Sequence, residues 1–138
     1  MKRRDFILSA SALMAVPFIG APALAATEYT EGLVAQELAA GKTVFLDFKA
    51  SWCSTCAAQE RVLDKLKAAN PAYEKEITFI DVDWDDFGRS DLVKSLKVPR
   101  RSTLIVLKGD DEFGRIVAGT KEADIKALMD TALTVATR

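Results

Sequence analysis

The segment 49–56 constrains the fold of this chain more than any other, because both cysteines, Cys53 and Cys56, lie in it. An apolar, β-favouring run at 43–48 precedes them, and a helical pattern continues from Cys53 to about Ala69. Two thiols separated by two residues at the start of a helix lie one turn apart, close enough to form a disulfide. We expect Cys53 to be exposed, with a pKa lowered by the unpaired N–H groups of the first turn, and Cys56 to be buried. The pattern predicts a redox pair in which Cys53 attacks and Cys56 resolves.

Composition narrows the chemistry further. The chain has 138 residues, two cysteines and no histidine, so imidazole catalysis and imidazole metal ligation are excluded. A disulfide across two intervening residues removes little entropy from the unfolded chain, so a structural staple explains the cysteines less well than a redox role. The net charge is −1 for the whole chain and about −3 without the basic residues 1–25. This balance argues against nucleic acid or an anionic membrane as the main partner.

Residues 1–25 predict an export signal. A basic start leads into an apolar run at 6–19, and an A-x-A cleavage site ends at Ala25. Positions 3–7 match a twin-arginine motif, whereas an ordinary secretory signal with two chance arginines or a retained anchor are the alternatives. We therefore expect a periplasmic protein whose folded domain spans 26–138, without stable membrane insertion after cleavage.

The rest of the chain alternates between helical and β-favouring patterns. The predicted helices are 31–40, 53–69, 90–96 and 121–136, and the predicted strands are 43–48, 77–82, 103–108 and 113–118. The alternating first part requires a parallel crossover and the last two strands indicate a hairpin. We therefore expect an α/β fold with a mixed four-stranded sheet flanked by helices. The acidic segment 83–88 is expected to be a solvated loop, and no metal site is predicted there because it lacks the terminal glutamate of an EF-hand loop.

A strand is followed by Trp52 and the cysteine pair at the start of a helix, and the later strands follow in the order given above. In these features the chain resembles the thioredoxin family over essentially all of 26–138. The resemblance implies a thioredoxin-like three-layer fold. It also implies that Asp47, six residues before Cys53, is the family's buried aspartate, which passes protons to and from the resolving thiol. Burial would raise the pKa of this carboxyl, and a role in capping a turn is the alternative. Trp52 would shield the cysteines and line the surface that docks partner proteins.

A more specific resemblance is to the C-terminal thioredoxin-like domain of DsbD-type thiol–disulfide interchange proteins. Glu60, four residues after Cys56, matches a glutamate that these domains pair with the strand aspartate, and it lies one helical turn from Cys56. An exposed Glu60 paired with Lys65 is an alternative of equal weight. Because DsbD-like domains pass electrons outward, the resemblance favours reduction of partner disulfides.

Three positions depart from the usual thioredoxin pattern. Arg61 stands where a proline usually kinks the helix, so a straighter helix is expected, and Lys49 replaces an aromatic residue. Alignment of the third predicted strand places Arg101 and Ser102 at the family's cis-proline. A cis bond before a non-proline residue costs roughly 2.5–4 kcal/mol, so the Arg101–Ser102 bond is expected to be trans. The alternative is a cis bond at Pro99, with three extra residues bulging before the strand.

Basic residues are expected to surround the cysteines. Lys49, Arg100 and Arg101 would lie on the rim around Cys53, where positive charge stabilises a thiolate. We therefore hypothesise that the pKa of Cys53 is well below the reference of about 8.5. The alternative is that these side chains point into solvent.

These observations together predict an exported thiol–disulfide oxidoreductase that needs no cofactor or metal. Its partners would be disulfide-containing exported proteins and a membrane or periplasmic thiol donor of electrons. A disulfide-forming oxidant is one alternative, although the residues between the cysteines lack the histidine of strong oxidants such as DsbA. A non-enzymatic copper(I) module and a binding module with a permanently closed disulfide are the others. The candidate catalytic residues are Cys53, Cys56, Asp47 and Glu60, and the candidate substrate-binding residues are Trp52, Arg101 and Ser102.

Overall fold

The computed structural model describes residues 26–138, which form a five-stranded mixed sheet with helices on both faces. The strands are β1 (Thr27–Glu28), β2 (Thr43–Lys49), β3 (Thr78–Asp83), β4 (Thr103–Lys108) and β5 (Asp111–Val117). The helices are α1 (Leu33–Ala39), α2 (Ser54–Ala69), α3 (Ala72–Glu76), α4 (Trp84–Phe87), α5 (Asp91–Leu96) and α6 (Glu122–Ala136). The predicted three-layer α/β arrangement is confirmed.

The sheet places β2 at its centre, in the order β1-β3-β2-β4-β5. β2 pairs in parallel with β3 and antiparallel with β4, and β5 returns antiparallel to β4 through a hairpin. A parallel neighbour requires a crossover, which α2 and α3 provide. Since a central strand is covered on both faces, β2 is apolar almost throughout, and Asp47 is its one charged residue before the terminal Lys49.

Two apolar cores lie on the two faces of the sheet. One packs α2, α3 and α6 against residues such as Phe45 and Leu104, and the other packs α1, α4 and α5 against residues such as Leu46 and Phe48. Because side chains alternate along a strand, Asp47 points to the same side as Phe45. The sheet therefore directs Asp47 towards α2, the helix that begins at the cysteines.

Two short elements escape prediction from sequence. β1 has two residues, and it exists through its parallel pairing with β3, in which Thr27 lies opposite Ile80 and Glu28 opposite Asp81. α3 has five residues, too few to show a helical period. The sheet consequently has five strands rather than the four that were expected.

The acidic segment 83–88 is not the solvated loop that its charge suggests. The Asp83 carboxylate accepts a hydrogen bond from the Asp85 N–H at 2.9 Å, and this cap starts α4. Trp84 and Phe87 then pack against the core on the α1 side of the sheet. That expectation is wrong because two aromatic residues within the segment bury apolar area.

The remaining helices agree well with prediction. The Ser90 hydroxyl accepts a hydrogen bond from the Val93 N–H at 3.3 Å and caps α5. α2 continues without a break from Ser54 to Ala69, through Arg61, as expected where the family's proline is missing.

The predicted export signal at 1–25 lies outside the described residues. Within 26–138, none of the helices is both long and apolar enough to cross a membrane.

Candidate active site

Cys53 and Cys56 form a disulfide at the N-terminus of α2, with their Cα atoms 5.2 Å apart. Cys53 is the N-cap residue, and its Sγ accepts a hydrogen bond from the Cys56 N–H at 3.1 Å. This N–H belongs to the unpaired donors of the first helical turn, so it would stabilise a Cys53 thiolate after reduction.

The expected exposure of Cys53 is wrong. Cys53 is 4% exposed and Cys56 is 2% exposed, so both residues are almost fully buried. The cover comes from residues remote in sequence: Trp84 packs against the pair, and the Ser102 hydroxyl touches both sulfurs.

Ser102 closes over the cysteines from the loop before β4. Its Oγ lies 3.1 Å from the Sγ of Cys53 and 3.1 Å from the Sγ of Cys56, and the residue is fully buried. No cis peptide bond occurs in 26–138, so the trans Arg101–Ser102 bond is confirmed and the alternative of a cis bond at Pro99 is wrong. Ser102 instead adopts a left-handed backbone conformation with φ of 63°.

Gln59 is a site residue that the sequence reasoning missed. Its buried amide nitrogen donates hydrogen bonds to the carbonyl oxygens of Ser102 and Gly119, both at 3.0 Å. Gln59 follows Cys56 by three residues, so the two share one face of α2. A polar residue on the buried face of the cysteine helix is the signal that could have identified it.

Asp47 lies buried in the middle of β2. Burial raises the pKa of this carboxyl to about 7, with a further increase from the nearby charge of Asp81 and a partial offset from Lys49. Its Oδ1 has no hydrogen-bond partner among residues 26–138. A carboxyl in this state can take up and release a proton near neutral pH.

A cleft of about 470 Å³ runs alongside α2, and its lining includes Asp47, Lys49, Glu60 and Asp81. The Lys49 Nζ lies 3.1 Å from Glu60 Oε1 and 3.7 Å from Asp81 Oδ2. Lys49 follows Asp47 by two residues in β2, so both side chains point to the same side of the sheet. The expected place of Lys49 on the rim around Cys53 is wrong, because its ammonium pairs with carboxylates in this cleft.

Glu60 faces the cleft that contains Asp47. The alternative pairing of Glu60 with Lys65 is wrong, because Lys65 bonds to Glu122 at 2.9 Å across the α2–α6 surface. The structure therefore brings Glu60 and Asp47 into one cleft, linked through Lys49.

Trp52 is the exposed member of the site, with 59% of its surface accessible. Its indole N–H donates to the Asp85 carboxylate, at 3.0 and 3.1 Å from the two oxygens. The Arg101 guanidinium stacks over the indole, 4.6 Å from the ring centroid, and the Arg100 Nε donates to the Arg101 carbonyl oxygen at 3.1 Å. Trp52 and Arg101 thus form one continuous surface beside the cysteines, and the hydrogen bond to Asp85 fixes the position of the indole ring.

Comparison with known proteins agrees with this arrangement. The sequence model of the family described as Thioredoxin matches residues 23–131. The chain belongs to the thioredoxin family. Thioredoxin H2-1 of Oryza sativa subsp. japonica is 29% identical over 99 residues, which cover 70% of this chain and 67% of the rice protein. Thioredoxin H5 of the same plant is 33% identical over 82 residues, covering 59% of this chain and 56% of that protein.

Solved structures place the chain in the same fold. The crystal structure of Trxlp from Edwardsiella tarda EIB202 matches with a TM-score of 0.63 at 30% identity, and the match covers 75% of this chain and 98% of that one. The mitochondrial thioredoxin 3 of Saccharomyces cerevisiae matches in fold, with a TM-score of 0.61 at 24% identity over 76% of this chain and 94% of that one.

This thioredoxin-family chain is a thiol–disulfide oxidoreductase. Its paired cysteines lie at a helix N-terminus, where they can accept two electrons as the disulfide opens and release them as it closes. Within 26–138, Asp47 is the buried carboxyl whose pKa lies near neutrality. A redox pair and a proton-exchanging group are the two components that this chemistry needs.

Proposed function

We propose that this chain is an exported reductase of protein disulfides. The observation that carries the proposal is the redox pair Cys53 and Cys56 at the start of α2, with the buried Asp47 on the α2 side of the sheet. Export and a periplasmic location are supported by the signal pattern in 1–25. The reducing direction is supported by the shared cleft of Asp47 and Glu60, the pair that resembles DsbD-type domains.

The proposed reaction has two exchange steps. The Cys53 thiolate attacks one sulfur of a partner disulfide, so a Cys53–partner bond forms and the partner's other sulfur leaves as a thiolate. Cys56 then gives its proton to the Asp47 carboxylate and attacks the Cys53 sulfur. The Cys53–partner bond breaks, the second partner sulfur leaves as a thiolate that takes up a proton from solvent, and the Cys53–Cys56 disulfide remains. Two electrons have passed from the chain to the partner.

Partner docking is assigned to the surface of Trp52 and Arg101. Trp52 is exposed next to the attacking cysteine, and hydrogen bonding to Asp85 holds its ring in place. An exposed aromatic ring with an adjacent arginine is typical of protein-binding surfaces. Because Ser102 replaces the family's cis-proline, we infer that the partner backbone docks differently here than in most thioredoxins.

Trapping tests the first step directly. In Cys56→Ser the mixed disulfide cannot resolve, so the variant should retain partner proteins through a bond that dithiothreitol releases. Cys53→Ser is the matched control, since it keeps one cysteine and lacks the attacking sulfur. Equal capture by both variants, or no reduction of insulin disulfides by the reduced wild type, would contradict the proposal.

Direction and location need separate measurements. Equilibration of the wild type with glutathione gives its reduction potential, and a value above that of the compartment would favour the oxidant alternative over a reductase. The potential of a reductase lies below that of its partner disulfides. Cell fractionation of the full chain tests export, and retention of unprocessed protein inside the cytoplasm would contradict it.

A further inference from the structure

The Ser102 hydroxyl occupies a position between the two reacting sulfurs. Its Oγ is 3.1 Å from each Sγ, and these are its hydrogen-bond partners among residues 26–138. A hydroxyl carries one proton and can rotate to donate it to either neighbour. The geometry therefore gives both cysteines access to the same donor.

The backbone of Ser102 is fixed by three hydrogen bonds. Its N–H donates to the Phe48 carbonyl oxygen at 2.7 Å, and its carbonyl oxygen accepts from the Ala118 N–H at 2.8 Å and the Gln59 amide at 3.0 Å. These contacts hold a serine at φ of 63°, a conformation that is unfavourable for a residue with a Cβ. Strained backbone persists where the surroundings determine it, and here it aims the hydroxyl at the disulfide.

Reduction of the disulfide changes the strength of the hydrogen bond from the Ser102 hydroxyl. A disulfide sulfur is a weak acceptor, whereas a thiolate is a charged acceptor that forms a bond roughly twice as strong. The charge also moves during the reaction, because Cys53 carries it before the attack and Cys56 carries it before resolution.

We propose that Ser102 is a catalytic residue whose hydroxyl donates a hydrogen bond to whichever of the two sulfurs carries the negative charge, and so stabilises the reduced form of the pair. This proposal rests on the exchange reaction described above and adds no co-reactant to it. The hydroxyl keeps its own proton throughout, because it hydrogen-bonds the thiolate without transferring a proton. In the disulfide form the stabilisation is largely lost, so Ser102 makes the chain a weaker reductant than it would otherwise be.

The test removes the hydroxyl in two ways. Ser102→Ala removes the Oγ and keeps the Cβ. Ser102→Gly removes both, and glycine adopts positive φ freely, so at least one of the two variants is expected to keep the loop conformation. Ser95→Ala is the matched control, since Ser95 lies in α5 with its hydroxyl bonded to the Leu92 carbonyl oxygen.

Single-cysteine backgrounds separate the two sulfurs and avoid coupled titration. The pKa of Cys53 is measured in Cys56→Ala and that of Cys56 in Cys53→Ala, from alkylation rates against pH. Loss of a hydrogen bond to a charged group should raise each pKa by about one, a tenfold change in acid dissociation. Unchanged values for both cysteines would overturn the proposal, and a change in only one would overturn the shared-donor role.

The glutathione equilibrium of the two-cysteine protein provides the second readout. Above the pKa of Cys53, removal of the hydroxyl should shift the equilibrium about tenfold towards the disulfide, which corresponds to about 30 mV lower potential. Below that pKa the thiol is neutral and the shift should disappear. A shift of the same size at every pH would indicate a structural effect and would overturn the proposal.

The other charged groups of the site do not change between the variants. The cleft alongside α2 holds Asp47 and Lys49 on β2, Glu60 on α2 and Asp81 on β3, and Trp52 contacts Arg101 before β4 and Asp85 on α4. All are identical in the compared proteins, so the difference between variants isolates the hydroxyl. If the wild type failed to reduce insulin, the proposed reductase role would fail while these glutathione and alkylation measurements would still decide the role of Ser102.

Discussion

The replacement Asp47→Asn should stabilise the oxidised protein strongly at alkaline pH and little at acidic pH. The pKa of Asp47 is raised from 3.8 to about 7, chiefly because burial disfavours its charged form. At a pH between 3.8, the ordinary pKa in the unfolded chain, and about 7, the pKa in the folded chain, the folded chain holds a proton that the unfolded chain has lost. The free energy of unfolding therefore falls as the pH rises through this window and stays constant above it. Since each pKa unit corresponds to 1.36 kcal/mol, the ionised carboxylate costs about 4 kcal/mol at high pH.

Urea unfolding at two pH values measures this cost, with tryptophan fluorescence as the signal. About 3 kcal/mol of the penalty develops between pH 5 and pH 8.5, so the wild type should lose about that much more stability than Asp47→Asn across this interval. The oxidised protein is used because its cysteines do not titrate, and the absence of histidine from the sequence removes the usual source of pH dependence in this range.

Each protein is compared with itself at the two pH values, so the effect of the substitution on packing cancels from the change in the free energy of unfolding. Asp47→Ala leaves a small cavity and Asp47→Asn an amide without partners, but both should remove the pH dependence. Asp110→Asn, at an exposed position in the β4–β5 hairpin, should keep the wild-type profile. Equal loss of stability in the wild type and in both Asp47 variants between the two pH values would refute a buried carboxyl that titrates near neutrality.

Two further predictions concern the neighbours of these groups. In Lys49→Met the cleft loses a positive charge that lowers the pKa of Asp47, so the pH above which stability stays constant should move upwards. Lys65→Met on the outer surface should leave this upper limit in place, and an unmoved limit in Lys49→Met would contradict the coupling. Ser102→Pro introduces the family's residue, but a proline ring cannot adopt φ of 63°. The substitution also removes the N–H that bonds the Phe48 carbonyl oxygen. The unpaired Phe48 carbonyl alone should lower the free energy of urea unfolding by about 1–3 kcal/mol. Stability equal to the wild type would show that the loop rearranges without cost.

Local sequence patterns were sufficient for the framework of the fold. β2 and β4 are buried on both faces, so they appear as continuous β-favouring runs, and α2 and α6 are long enough to show a helical period. β1 could not be found in this way, because its two residues become a strand only through pairing with β3.

The site was predictable where a residue conflicts with its local pattern. Asp47 interrupts an apolar strand, and the resemblance to thioredoxins identifies it as the family's buried aspartate. The burial of Cys53 had no such signal, because Trp84 and Ser102 reach it from positions 31 and 49 residues further along the chain. The conformation of Ser102 likewise depends on long-range contacts, among them its hydrogen bond to Phe48.

The positions of the charges change the physical explanation for the reactivity of Cys53. The sequence suggested that basic side chains would stabilise its thiolate, but the Lys49 ammonium pairs with Glu60 and Asp81, and Arg101 stacks on Trp52. The groups in direct contact with the sulfur are neutral donors, namely the Cys56 N–H and the Ser102 hydroxyl, each at 3.1 Å. These buried dipoles stabilise the thiolate through direct hydrogen bonds, and salt screens such short-range interactions little. Salt screens the stabilisation that solvent-exposed cations provide much more strongly. The pKa of Cys53 should therefore depend weakly on ionic strength, and a strong dependence would return the explanation to the arginines on the rim.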